Sequence, residues 1–175
     1  MTVDREAFEQ ELGALLPGLL RFATVLCGGP DPAEEVLQDV VVKAHARWGR
    51  IRDLDHPQAY LRRMIVNEHL SWRRKWSRLV PQAELREPPV SGPDFADTHA
   101  DRAELVAELA RLPRRQQTVL VLRYFEGLTD PEIAEVLGCG ASTVRSHASS
   151  GLARLRVQMA PPARIPNETE DSRAY

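Results

Sequence analysis

Cysteine is scarce in this 175-residue chain: Cys27 and Cys139 stand 112 positions apart, with no CxxC and no His/Cys cluster. That spacing excludes a disulfide framework and a cysteine-ligated zinc site. The five histidines, His45, His56, His69, His99 and His147, are scattered and show no nucleophile–base or metal-ligand pattern. An enzyme, a bound metal and a cofactor are therefore not expected. There is no GxxxxGK loop, hence no phosphate cradle for an ATP-driven motor. No apolar run approaches the ~20 residues of a membrane-spanning helix. The opening segment MTVDREAFEQE is acidic and lacks the apolar stretch of a secretory signal. A cytoplasmic chain without membrane insertion is expected.

What is present is apolar and helical. Leu, Val, Ile and Phe make up a quarter of the chain, enough for packed cores. The formal net charge of −2 hides a segregated distribution. Residues 1–42 carry two basic and eight acidic groups, whereas residues 43–80 carry ten basic and three acidic. Residues 141–160 hold three arginines and no carboxylate. Fields act within a Debye length of ~8–10 Å, so two basic stretches in an acidic chain remain two local anion-binding candidates.

Proline marks the divisions. Of 13 prolines, four fall in Pro81–Pro93 and three in Pro161–Pro166. Both stretches lack apolar periodicity and interrupt any helix. The chain is therefore predicted to be all-α: two small helical domains joined by a flexible Pro-rich linker. The boundaries are 1–78, a linker at 79–100, a second domain at 101–160 and a disordered tail at 161–175.

In the first domain, Val36, Leu37, Val40, Val41, Ala44 and Trp48 recur at helical spacing, with Asp31 as expected N-cap and Glu34 completing a capping box. A long helix runs from Pro57 to about Arg78, with Tyr60, Leu61, Met64, Ile65 and Glu68 along one side and arginines crowding its surface. Between the two lies a loop, Gly49–His56.

In the second domain, Leu105, Val106, Leu109 and Leu112 mark one helix, and Pro113 opens another through Phe125. Thr129 and Glu132 form a capping box before Ile133, Ala134, Val136 and Leu137. Gly138-Cys139-Gly140 is a turn, and Val144, Ala148, Leu152 and Leu155 line the inner face of a last helix. Ala134, Gly138 and Val144 have helix-turn-helix spacing: a small residue at the crossing, a glycine for positive φ, an apolar anchor. Such a second helix offers its outer side chains to the major groove. Here these are Ser142, Thr143, Arg145, Ser146, His147, Ser149 and Ser150, with Arg154 beyond. Arg145 is the candidate for a bidentate guanine contact.

LARLPRRQQTVLVLRYFEGLTDPEIAEVLGCGASTVRSHASSGLARLR resembles region 4 of the extracytoplasmic-function sigma factors of bacterial RNA polymerase. PAEEVLQDVVVKAHARW resembles their region 2 polymerase-binding helix, and HPQAYLRRMIVNEHLSWRRKW their promoter-reading helix, with VNEHLSWRR pointing to the sigma-E-like branch. The resemblance spans roughly residues 8–160. It implies core RNA polymerase and promoter DNA as partners, docking on polymerase through Glu35, Gln38 and Asp39, and a possible anti-sigma factor. It also implies −10 contacts from Arg50, Arg52, Arg62, Arg63, Asn67, Arg73 and Arg74. The Gly49–His56 loop would hold a flipped base, and Ser142, Thr143, Arg145, Ser146, His147, Ser149 and Arg154 would read the −35 element. Trp72 and Trp76 can stack on bases for ~1–3 kcal/mol each, or bury as core residues.

Some positions depart from that pattern. Ser71 stands where many relatives have aspartate, Ser150 and His147 where many have arginine. Gly151 introduces a residue that costs about 1 kcal/mol in a helix relative to alanine. A stand-alone operator-binding regulator would also use a helix-turn-helix, but it leaves Lys43–Arg78 without a task.

Overall fold

The computed structural model describes residues 5–76 and 98–159. Among them the secondary structure is helical throughout, with no strand. Four helices belong to the first domain: α1 (Arg5–Cys27), α2 (Pro30–His45), α3 (Trp48–Ile51) and α4 (Pro57–Trp76). α1, α2 and α4 pack on one another around a shared core. The reason is their spacing. Leu19, Phe22, Ala23 and Leu26 form one stripe of α1, Val36, Leu37, Val40 and Ala44 one of α2, and Leu61 and Ile65 one of α4, all buried.

Trp48 sits beneath this core, only 2 % exposed. Its ring meets Phe8 edge-on at 5.1 Å, and its Nε1 donates to Glu11 at 2.9 Å. Glu11 also pairs with Arg52 at 2.8 Å. One carboxylate thus ties α1 to both ends of the α3 turn.

Two N-domain expectations are corrected. α2 starts at Pro30 with Gly29 as N-cap and no side-chain capping bond, so the Asp31–Glu34 capping box does not form. Gly28, at φ 85, turns the chain early, and the amides of Gly28 and Gly29 both donate to the Thr24 carbonyl. Proline, lacking an N–H, then suits the first turn, where Asp31 complements the exposed amides. The Gly49–His56 loop is also partly helical, because burial of Trp48 and Ile51 winds a turn ending at Ile51.

The second domain contains α5 (Thr98–Ala110), α6 (Arg114–Leu120), a π-helical turn (Val121–Phe125), α7 (Asp130–Leu137) and α8 (Ala141–Gln158). α5 begins inside the span expected to be linker; 77–97 and the expected tail lie outside the described residues. Leu105 is exposed rather than inward, since Leu109 and Leu112 supply the buried stripe of that segment. The helix expected to continue through Phe125 widens into a π turn, with the Glu126 amide donating to Val121 O. This rotation leaves Tyr124 and Phe125 exposed.

The helix-turn-helix forms as the spacing predicts. Thr129 and Glu132 make the capping box, Gly138 ends α7 at φ 62, and Val144 is fully buried beneath α8. Gly151 is more than a flexible insertion. It lies buried where α8 crosses α6, and a Cβ there would stand 3.0 Å from Leu120 Cδ1 and 3.4 Å from Gln116 Cβ. The glycine permits the crossing, which offsets its helix-propensity cost.

Candidate functional site

On α2, Glu35, Gln38 and Asp39 are exposed, on the side away from the core. Val42 lies on the same face and is 72 % exposed, an apolar side chain at the C-terminal end of that polar strip. Sequence reasoning missed it because Val42 continues the run Val40-Val41-Val42, in which only the helical phase separates core from surface.

Two adjoining clefts open where α2, the α3 turn and α4 meet. One, of about 370 Å³, is lined by Arg47, Arg50, Ile51, Leu54 and Tyr60. The other, of about 420 Å³, includes Arg47, Tyr60, Arg63, Asn67 and Glu68. Arg47 and Tyr60 border both. The combination of cations, an aromatic edge and an exposed amide at Asn67 matches what an unstacked base and its phosphates require. Arg47 joins the residues expected from the sequence, and Tyr60, on the same side of α4 as Met64 and Glu68, is 37 % exposed at the cleft. The cleft wall is anchored by Lys43, which pairs with the buried Glu68 carboxylate. Ser71, the position of the expected aspartate, caps that same turn by donating to the Glu68 carbonyl at 3.0 Å.

The arginines expected to line the −10 surface are dispersed. Arg50 is exposed at the cleft. Arg52 is held by Glu11. Arg62 and Arg63 do not simply crowd an exposed helix face: Arg62 pairs with Glu126 at 2.5 Å, and Arg63 donates to the Glu135 carbonyl at 3.2 Å. Both partners come from the second domain, which packs against α4 through α6. Arg73 and Arg74, like Trp72 and Trp76, fall in the last turns of α4, with side chains outside the described residues.

On α8, Ser142, Thr143, Arg145, Ser146, Ser149, Ser150 and Arg154 are all exposed, and His147 is half-buried. The face carries no carboxylate, so nothing on the helix opposes an approaching phosphate.

Sequence comparison matches the family described as Sigma-70 region 2 to residues 12–79, and that described as Sigma-70, region 4 to residues 102–155. The RNA polymerase sigma-E factor of Streptomyces coelicolor is 37% identical over 153 residues, covering 87% of this chain and 85% of that protein. The chain belongs to the extracytoplasmic-function sigma factors, in their sigma-E-like branch. The ECF RNA polymerase sigma factor SigM of Mycobacterium tuberculosis is 30% identical over 156 residues, 87% of this chain and 76% of that one. Among solved structures, the sigma factor RpoE in complex with the anti-sigma factor NepR from Bartonella quintana superposes with a TM-score of 0.69. The identity is 26%, over 89% of this chain and 99% of that one. As a sigma factor, the chain directs core RNA polymerase to promoters. Among the described residues no helix is long and apolar enough to cross a membrane.

Proposed function

We propose that the chain divides promoter recognition between its two domains, region 2 at 1–78 and region 4 at 101–160. The exposed α2 strip of Glu35, Gln38, Asp39 and Val42 docks on core polymerase. The paired clefts at Arg47, Tyr60 and Asn67 capture unstacked bases of the −10 strand, and α8 reads the −35 duplex. The observation that carries this reading is the cleft itself: an exposed amide and an aromatic edge among cations, on the domain that matches region 2. Strand capture of this kind needs no motor, because binding the extruded base lowers the free energy of the open form relative to duplex.

Asn67→Ala tests the assignment. A base-edge contact is worth roughly 1–3 kcal/mol, so the open complex should fall about fivefold or more while closed-complex binding holds. Permanganate reactivity of the melted strand measures it; reactivity equal to wild type would count against Asn67 as a base-reading residue.

Arg145→Ala bears on the other domain. It should flatten base preference at a single −35 position by roughly 1–3 kcal/mol, without uniform loss across promoters. A promoter-variant panel with unaltered preference would show that α8 sits in a different register. The RpoE structure was solved with an anti-sigma factor, which supports a protein of that kind as a further partner covering these surfaces.

A further inference from the structure

We propose that the cleft at the α3 turn selects thymine among the bases the first domain captures, with Leu54 and Ile51 meeting its C5 methyl group. The inference rests on the strand-capture reading above and adds a base identity to it. Leu54 contributes little to the fold: it is 42 % exposed, neither buried in the core nor packed against it. Its backbone is nevertheless fixed, since its amide donates to the Ile51 carbonyl at 3.2 Å. The amides of Arg50 and Ile51 both donate to the Arg47 carbonyl, at 2.9 and 3.2 Å. A short wound turn thus holds an exposed apolar side chain at the cleft, with Ile51, only 2 % exposed, deeper in the same lining.

The polar groups of the cleft narrow the choice of base. Arg47 and Arg50 are exposed, and neither joins an ion pair among the described residues, whereas Arg52 on the same turn is held by Glu11. Guanidinium groups only donate, so the one side-chain acceptor lining this cleft is the Tyr60 hydroxyl. Asp53 and Asp55 follow in sequence but do not line it. Thymine fits that inventory, with carbonyl oxygens for the cations, one ring N–H for the hydroxyl and a methyl for the apolar pair. Cytosine and adenine would turn an exocyclic amine toward cations, and guanine would bring an amine besides its ring N–H and no methyl. A donor taken out of water without an acceptor is penalised. The adjoining cleft differs in kind, because Asn67 and Glu68 bring acceptor oxygens to it.

The test uses the full chain bound to core polymerase. Fluorescence anisotropy follows its binding to a short labelled strand of deoxythymidines, and to matching strands of deoxyuridines and of deoxycytidines, with core polymerase alone as the reference. Uracil differs from thymine only in lacking the methyl group. Deoxythymidine should bind about fourfold tighter than deoxyuridine, the worth of burying one methyl, and deoxycytidine should bind more weakly than either. Core polymerase alone should not separate thymine from uracil. Leu54→Ala, verified as folded by circular dichroism, should bring the ratio of thymine to uracil affinities close to one. Equal affinity for the two strands, or tightest binding of deoxycytidine, would overturn thymine selection while leaving strand capture standing. A full thymine preference retained by Leu54→Ala would overturn the methyl contact assigned here. Binding no tighter than that of core polymerase alone would instead sink the strand-capture reading, and base selection with it.

Discussion

Trp48→Ala is expected to destabilise the first domain by about 3–5 kcal/mol, the usual cost of deleting a buried tryptophan. The loss should be at the high end of that range. The substitution opens a cavity beneath α1 and α2, removes the edge-on contact with Phe8, and leaves Glu11 without its indole donor. Glu11 is also what holds Arg52. The α3 turn and the cleft it borders would lose their attachment to α1, so promoter opening should fail together with stability. Trp48→Phe should recover part of the stability but not the bond to Glu11. Thermal melting followed by run-off transcription with core polymerase measures both; a melting curve that superposes on wild type would show that the α3 turn is held by something else.

The second large effect separates docking from folding. Val42→Asp should leave the melting temperature close to wild type, because the side chain is 72 % exposed and makes no core contribution. Its binding to core polymerase should weaken by more than about tenfold, since a charge forced into an interface is desolvated without a partner. Val42→Ala should be milder, and Gln38→Ala with Asp39→Ala should weaken binding through the polar rim of the same strip. Pull-down with purified core polymerase decides. Full retention by Val42→Asp would exclude this face of α2 as the docking surface.

Titration adds little to these effects near neutrality. Burial, reinforced by the Arg114 cation, pushes the His69 imidazole down to about 3. The ring therefore stays neutral at any pH at which the chain would be assayed and is no pH switch. The Cys27 thiol, raised to about 12 by burial, is likewise inert as a nucleophile.

The residues that proved hardest to read were those whose role depends on helical phase or on a distant neighbour. Asp31 has the form of an N-cap because Asp-Pro begins many helices, yet Gly28 and Gly29 turn the chain two residues earlier. Gly151 looked like a helix weakness because propensity is a local quantity, whereas its value lies in letting α8 approach Leu120. Val42 hid in a run of valines.

The amino-acid order alone determined the long helices α2, α4 and α8, the capped Thr129–Gly138–Val144 turn and the carboxylate-free outer face of α8. These follow from spacing within a few residues, where a single helix's geometry decides the outcome. Only the folded chain decided which arginines stand open and which are clasped. Arg62 and Glu126 lie far apart in sequence, and a side chain's availability is set by whatever packs against it rather than by its own neighbours in the chain.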